Sequence, residues 1–136
     1  MGLHIKEEKI MMNPRFFVCE HCGNQIELID DHGVPVMCCG QKMNELIPGT
    51  VDASHEKHVP QAEVADGKIV VRVGAVEHPM VDVHYIPWVA VQTESAIYRR
   101  HLQPGQPPVA EFLLGEEKPV AVYAFCNLHG LWKQAL

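Results

Sequence analysis

The chain has 136 residues, a formal net charge of −6 and an apolar content of 47%. This length fits one domain of ordinary size, or a small domain beside a very small one, with enough apolar side chains for a buried core. The negative charge argues against nucleic-acid binding, because no basic stripe offsets the repulsion of phosphate groups. The longest stretch that lacks Asp, Glu, Lys and Arg spans residues 119–132. It is too short to cross a bilayer, so no membrane association is expected.

Four of the five cysteines lie close together near the N-terminus, in the pattern Cys19-x2-Cys22-x15-Cys38-Cys39. Each half of the pattern is followed by a glycine, which lets the backbone turn tightly and point its amide N–H groups at the sulfur atoms. Four thiolates at this spacing predict one tetrahedral metal site, for which iron and zinc are both suitable. The alternative is a pair of disulfides that staple a small β unit.

The N-terminus begins with charged residues rather than with an apolar run, since residues 6–9 read Lys-Glu-Glu-Lys. The sequence therefore carries no secretory signal, and a cytoplasmic location is expected. In a reducing compartment, the spacing of the cysteines favours metal binding over disulfide formation.

The composition divides the chain into three parts. Residues 1–15 are interpreted as an N-terminal extension, residues 16–47 as a small metal-binding domain that contains the four clustered cysteines, and residues 48–136 as the larger domain. The stretch Met43–Thr50 contains Pro48-Gly49 and is interpreted as the junction between the two domains. A unit as small as the first cannot fold on its own hydrophobic core, so the metal is expected to supply much of its stability.

The larger part has the pattern of an all-β fold. Lys68–Val73 is predicted to place Ile69, Val71 and Val73 on one inward face of a strand, and Pro119–Cys126 places several apolar side chains and Cys126 on one face. Further strands are predicted at Gln61–Val64, Tyr85–Thr93, Ser95–Leu102 and Val109–Leu114. Short strands with frequent turn signals predict a β-sandwich of the immunoglobulin-like kind, and no amphipathic helix of useful length is evident.

A second group of candidate metal ligands lies in this larger part. Cys126 and His129 stand three residues apart at the end of an apolar strand, and three histidines in turn-rich segments precede them: His58, His78 and His84. A structural zinc site usually has four ligands in all, so one thiolate with four imidazoles fits such a site poorly. The set fits an iron site better, with five protein ligands and a sixth position open to chemistry.

Three motifs around these residues resemble those of desulfoferrodoxins, the two-domain superoxide reductases. The motifs are Glu56-Lys57-His58-Val59-Pro60, then His78-Pro79-Met80 with His84-Tyr85-Ile86 and Trp88, and finally Cys126-Asn127-Leu128-His129-Gly130-Leu131-Trp132-Lys133. The four clustered cysteines resemble that family's desulforedoxin-type site, so the resemblance covers residues 16–136. It departs from the family at residues 1–12, which look like an additional extension.

The resemblance implies a mononuclear iron held by four equatorial histidines with Cys126 as the axial ligand. The sixth position would be open in the ferrous state, where superoxide takes one electron and two protons to give hydrogen peroxide. Lys57 would place a positive charge beside this position to attract the small anion and to organise the water that supplies protons. Glu56 is similar to the family's carboxylate that closes the sixth position after oxidation.

The resemblance further implies that the site of Cys19, Cys22, Cys38 and Cys39 holds an accessory iron. The electron donor would be a small reduced iron protein such as rubredoxin, and the protein would form a homodimer. A dimer is also expected physically, because a tiny metal unit and an open sandwich leave sheet edges that need cover. Two other functions compete with the enzyme: a non-catalytic iron electron carrier, and a β-sandwich binding module with a zinc staple.

Overall fold

The computed structural model describes residues 13–136, which form twelve β-strands and one four-residue helix. The predicted all-β class is therefore confirmed. The described chain falls into two compact units, of which one ends at Ile47 and the other begins at Pro48. Residues 1–12, the greater part of the predicted N-terminal extension, lie outside the described residues.

The first unit contains a small antiparallel sheet and a separate hairpin. Strand β1 (Phe16–Val18) lies between β2 (Gln25–Glu27) and β5 (Asn44–Leu46), while β3 (Met37–Cys38) pairs with β4 (Gln41–Lys42). The interpretation of residues 43–50 as a junction is wrong for residues 44–46. These residues pair with β1 and so belong to the sheet of the first unit.

The first unit has almost no hydrophobic core of its own. Within residues 13–47 only Phe16, Cys19 and Met43 are buried. Three buried apolar side chains are too few to stabilise a folded unit of this length by hydrophobic burial alone. The unit therefore depends on another source of stability, and its clustered cysteines are where a metal would supply it.

The second unit contains two antiparallel sheets. The smaller sheet has the order β10-β7-β6, with β6 at Pro60–Ala65, β7 at Lys68–Val73 and β10 at Val109–Leu113. Asp66 and Gly67 join β6 to β7 and have φ angles of 52° and 76°. Two successive left-handed residues are what a tight hairpin turn requires, and Asp-Gly is a favoured pair for it.

The larger sheet of the second unit has the order β12-β11-β8-β9. Its strands are β8 at Trp88–Thr93, β9 at Ile97–His101, β11 at Pro119–Cys126 and β12 at Gly130–Ala135. Strand β12 was not among the predicted strands, because its sequence mixes glycine, charged and apolar residues without a clear alternation. It forms through its antiparallel pairing with β11, after the chain reverses direction in a turn at residues 127–129.

The core of the second unit is filled from both sheets. Ile69, Val71 and Val73 of β7 are each at most 1% exposed and belong to one cluster with alternate residues of β8 and β11. This confirms the predicted inward face of β7. Cys126 is the last member of the inward row of β11 and is 0% exposed. The sandwich therefore carries its buried thiol at the end of a central strand.

The helix α1 (His55–His58) precedes β6 and is the single helix among residues 13–136. Pro60 disfavours helical backbone at the residue before it, and Val59 is extended with φ −71° and ψ 119°. The helix therefore ends with His58 in its last turn, whereas a turn-rich segment without a helix was predicted here. In the same range, the structure contains no helix with the length and apolar character that a membrane crossing requires.

Truncation of the core should cost stability in proportion to burial. Ile69→Ala removes a side chain that is 0% exposed, and we expect it to lower the free energy of unfolding by about 2–5 kcal/mol. Val64 is the cross-strand neighbour of Ile69 but is 55% exposed, so Val64→Ala should change it by less than about 0.5 kcal/mol. Denaturant unfolding at equal metal loading measures both values. Equal losses in the two variants would contradict this assignment of the core.

Candidate metal centres

The four clustered cysteines of the first unit converge on one point. Their sulfur atoms all lie within 4.8 Å of one another, and those of Cys22 and Cys38 are 3.6 Å apart. Thiolates that share one ion at a metal–sulfur distance of about 2.3 Å stand about 3.8 Å apart in a tetrahedron. All five cysteines of the chain are unpaired in this structure, which is contrary to the two-disulfide alternative. The donor set therefore fits a single tetrahedral ion.

Backbone and side-chain N–H groups point at these sulfur atoms. The Cys22 N–H donates to the Cys19 sulfur over 3.4 Å. Asn24 donates its backbone N–H to the Cys22 sulfur over 3.5 Å and its side-chain amide to the Cys38 sulfur over 3.7 Å. The Cys22 N–H is the largest cause that lowers the pKa of Cys19 to about 6. Because such donors favour the thiolate over the thiol, Cys19 is prepared to bind a cation at neutral pH.

The other cysteines of this group show why the cation is needed. The pKa of Cys39 is raised to about 12, first by its hydrogen bond with the Cys22 sulfur, and the pKa of Cys38 is raised by the same neighbour. Once one sulfur is ionised, its neighbours keep their protons, because thiolates at this distance repel one another. A bound metal ion removes this conflict, since all four sulfurs can then be thiolates.

The four predicted histidines of the second unit form a square. Neighbouring ring centroids are 4.7 Å apart for His58 and His78, 4.7 Å for His78 and His84, 5.2 Å for His84 and His129, and 4.9 Å for His129 and His58. The diagonal from His58 to His84 is 6.4 Å. Neighbouring rings stand at interplanar angles of 75–88°. The structure thus brings together residues that lie up to 71 positions apart in the sequence.

Hydrogen bonds determine which nitrogen of His58 and of His78 faces the centre of the square. His58 Nδ1 is 2.6 Å from the Ser54 carbonyl oxygen, and His78 Nδ1 is 2.7 Å from the Pro79 carbonyl oxygen. Each Nδ1 therefore carries the proton and leaves a lone pair on Nε2. His129 differs, because its Nδ1 lies 3.1 Å from His58 Nε2. Neighbouring nitrogen ligands of one ion, each about 2.1 Å from it, would stand about 3 Å apart.

Cys126 lies beside this square as a fifth donor. Its sulfur is within 4.8 Å of the donor nitrogens of His58, His78 and His84 and is 3.8 Å from His129 Nδ1. Burial raises the pKa of the Cys126 thiol, and the backbone N–H groups of Leu128 and His129 oppose that rise. A thiol in this environment is ionised readily only when a cation binds it, as in other metal–thiolate sites.

Two nitrogens of the square are buried without a partner. Among the described residues, the buried side-chain nitrogen and oxygen atoms that lack a hydrogen bond are His78 Nε2 and His84 Nε2. An unsatisfied buried polar atom is costly, and most such atoms in native proteins have a partner. A cation at the centre would accept both lone pairs at once. The residues present therefore fit a metal with four imidazole ligands and one thiolate.

The charged pair Glu56 and Lys57 lies on the exposed side of α1, directly before His58. The Lys57 charge contributes, after burial and the neighbouring histidines, to the lowered pKa of both His58 and His84. Its ammonium therefore lies within electrostatic range of opposite corners of the square. The backbone of Glu56 and Lys57 rests on Gly74, where an added Cβ would stand 2.7 Å from the Glu56 carbonyl oxygen. Only glycine permits this approach, and no local pattern in the sequence predicts it.

Trp132 is a second residue whose role sequence reasoning missed. Its ring stacks on His58 at 5.0 Å with an interplanar angle of 28°, and its indole N–H donates to the His129 carbonyl oxygen over 3.0 Å. Trp132 is 2% exposed. It thus contacts two neighbouring corners of the square. Its place in the motif that ends at Lys133 was the available signal.

The desulfoferrodoxin family model matches residues 50–135 of this chain. A desulfoferrodoxin of Syntrophotalea carbinolica is 45% identical over 116 residues, which cover 85% of this chain and 91% of that relative. A desulfoferrodoxin of Nitratidesulfovibrio vulgaris is 41% identical over 117 residues, which cover 86% of this chain and 92% of that relative.

Solved structures of superoxide reductases share the fold. The crystal structure of the superoxide reductase from Treponema pallidum matches with a TM-score of 0.77 and 34% identity, covering 90% of this chain and 99% of that one. The single-iron superoxide reductase from Giardia intestinalis matches with a TM-score of 0.52 and 29% identity, covering 60% of this chain and 97% of that one. The first similarity therefore extends over both units, and the second covers a smaller part of the chain.

The metal-free protein should lose stability in mild acid because of its buried histidines. Burial, as the largest cause, lowers the pKa of His78 from 6.5 to about 4 in the folded state. Below about pH 6.5 the unfolded state therefore binds more protons than the folded state. The part of the free energy of unfolding that depends on neutral His78 is fully present above that pH and is lost as the pH falls towards 4. We expect the free energy of unfolding to fall over this window less steeply in His78→Gln than in the unsubstituted protein.

Denaturant unfolding of both metal-free proteins at several pH values isolates this effect, because the carboxylates titrate alike in the two. Parallel pH profiles would show that His78 is not held neutral in the folded state.

Proposed function

Because this chain belongs to the desulfoferrodoxin family, we propose that it is a superoxide reductase that converts superoxide to hydrogen peroxide without forming dioxygen. The observation that carries the proposal is the square of four imidazoles, of which those of His58 and His78 are buried, with the buried Cys126 thiol beside it. Five donors leave one of six coordination directions free, which is what a site needs if it is to react with a small anion. The solved superoxide reductases with the same fold support the same reaction class.

The reaction adds one electron and two protons to superoxide and gives hydrogen peroxide. Iron, the metal we propose for this centre, would supply the electron. The protein has to hold the donor set, attract the anion and deliver the protons. The neutral imidazoles and the thiolate together carry one negative charge, so the ligands offset the charge of the ion only in part. A site that keeps a net positive charge favours the approach of an anion.

Cys126 would hold the ion through its thiolate, which would supply electron density to the bound metal. Its sulfur is 0% exposed and sits at the end of a central strand, so solvent does not compete for it. The Leu128 and His129 N–H groups near the sulfur limit how much charge it donates. Through this thiolate, the chain would favour the oxidised product of the electron transfer.

Lys57 would guide superoxide to the centre. The whole chain has a net charge of −6, so an anion is repelled from most of its surface unless a local positive charge offsets that field. Lys57 is exposed and acts on both His58 and His84. Water held by its ammonium would supply the protons that complete hydrogen peroxide. Glu56, on the same exposed helix turn, would close the free direction after oxidation.

The tetracysteine centre would serve as an accessory redox site. We propose iron there as well, although zinc suits four thiolates equally and would leave the site purely structural. A small electron-donor protein such as rubredoxin and a homodimeric assembly complete the proposal. A non-catalytic electron carrier is the alternative function, and it would have no use for a free coordination direction.

The proposal is tested by the metal content and visible spectrum of the unsubstituted protein and of Cys126→Ser. We expect two irons per chain and a thiolate-to-ferric band that appears only on oxidation of the histidine centre. In Cys126→Ser that band and the reduction of superoxide should both be lost while the fold remains, because the thiolate is gone. Pulse radiolysis follows the superoxide reaction, and circular dichroism follows the fold.

Cys22→Ser is the matched control for this test, since it should lose the other metal and still form peroxide. Near-normal superoxide reduction by iron-loaded Cys126→Ser would remove the thiolate from the mechanism. Zinc or no metal at the histidines would favour a binding module. Iron that binds no small anion such as azide would favour the electron carrier.

Lys57 is tested by the rate of the superoxide reaction at several ionic strengths. We expect Lys57→Met to slow the reaction roughly tenfold at low salt and to weaken its dependence on salt, because the local attraction for the anion is lost. Lys118→Met makes the same charge change before β11, roughly 25 Å from Cys126 along the strand. If both variants behaved alike, net charge rather than the position of Lys57 would control the rate.

A further inference from the structure

Asn127 connects two segments that carry ligands of the histidine centre. It directly follows Cys126, and its side-chain oxygen accepts the Tyr85 N–H over 2.9 Å. Its side-chain amide donates to the Val83 carbonyl oxygen over 3.1 Å. Its backbone N–H donates to the Tyr85 carbonyl oxygen over 3.2 Å. Three hydrogen bonds from one residue thus attach to the backbone on both sides of His84.

The segment around His84 has few other attachments. Val81 and His84 form an isolated pair of backbone hydrogen bonds, each of 3.0 Å, that closes a small loop on itself. Val81 and Val83 are 55% and 76% exposed, so the loop makes little use of the hydrophobic core. The loop begins near Met80, whose carbonyl oxygen accepts the Gly105 N–H over 2.9 Å. Ile86 returns the chain to the core at 1% exposure and donates its N–H to the Met80 sulfur over 3.4 Å. Between these two anchors, the hydrogen bonds that the structure shows from residues 81–85 to other segments are the three made by Asn127.

We propose that Asn127 is a positioning residue that holds His84 in the square of metal ligands. The residue shares one turn with Cys126 and His129, so its hydrogen bonds set the distance between His84 and these two donors. Asparagine suits the task because it offers an acceptor and a donor at the end of a short side chain. Aspartate keeps the acceptor for Tyr85 but has no hydrogen to give to Val83. This inference rests on the proposed function only in requiring that the centre binds a metal.

Loss of Asn127 should weaken the hold on His84 without removing any ligand. We expect the amide of Tyr85 to exchange with solvent at least tenfold faster in metal-free Asn127→Ala, because its acceptor is gone. Metal should leave the histidine centre roughly 10–100-fold faster, which is the usual effect of removing a partner that orients a ligand. Asn127→Asp should keep the Tyr85 amide protected from exchange. Its rate of metal release should lie between those of the unsubstituted protein and Asn127→Ala.

The measurements are amide exchange by NMR and release of Zn²⁺ to a coloured chelator. Release is followed in a Cys22→Ser background, so that the histidine centre supplies the signal. Gln134→Ala is the matched control, because Gln134 also donates an exposed side-chain amide to a backbone carbonyl, that of Ala135 in the same unit. It should leave both quantities unchanged. Thermal melts followed by circular dichroism confirm that each variant is folded.

Unchanged release of Zn²⁺ from folded Asn127→Ala and Asn127→Asp would overturn the proposal, whatever the amide exchange shows. Neither measurement uses superoxide. A protein that fails to reduce superoxide but shows accelerated Zn²⁺ release in Asn127→Ala would therefore refute the proposed function and support the positioning role. A visible spectrum of the oxidised, iron-loaded Asn127→Ala that matches the spectrum of the unsubstituted protein would also count against a displaced His84.

Discussion

The larger unit depends on how it accommodates two buried imidazole nitrogens that lack hydrogen-bond partners, His78 Nε2 and His84 Nε2. A protein core does not normally keep such atoms unpaired, because each loses its hydration and gains nothing in return. Here the surrounding hydrogen bonds prevent the inward imidazole nitrogens of His58 and His78 from acting as donors to the others. They assign the Nδ1 protons of His58 and His78 to backbone carbonyls and leave lone pairs facing one another. A metal ion bound at the centre would give the lone pairs of His78 and His84 a partner at once.

The two units depend on metal to different degrees. The sandwich has a continuous core drawn from both sheets, with Cys126 among its members, and this core can hold the ligands near their places before any ion binds. The first unit buries only Phe16, Cys19 and Met43 within residues 13–47. Its sulfurs compete for protons until an ion is present. Binding there is closer to folding, whereas binding in the sandwich is closer to filling a prepared site.

The sequence was sufficient for the parts of the structure that local chemistry decides. Cysteine spacing predicted the tetrahedral group, alternation predicted β7 and β11, and the motifs around His58, His84 and Cys126 predicted the family. Other features depend on contacts between distant segments and leave no local pattern. The Asn127 side chain reaches residues 42 and 44 positions away, and Gly74 is required by the approach of α1 rather than by its own φ angle. The choice of nitrogen on each histidine likewise follows from carbonyls placed by the fold.

The ligands of the histidine centre differ in what carries them. Cys126 ends a strand that is hydrogen-bonded on both sides, by β8 and β12, whereas the histidines come from a four-residue helix, from loops and from a turn. The thiol is therefore held by paired strands, whereas His78 and His84 are held by segments without such pairing. A bound ion of a different size would be accommodated by these two segments, and the strand that carries Cys126 would keep its place.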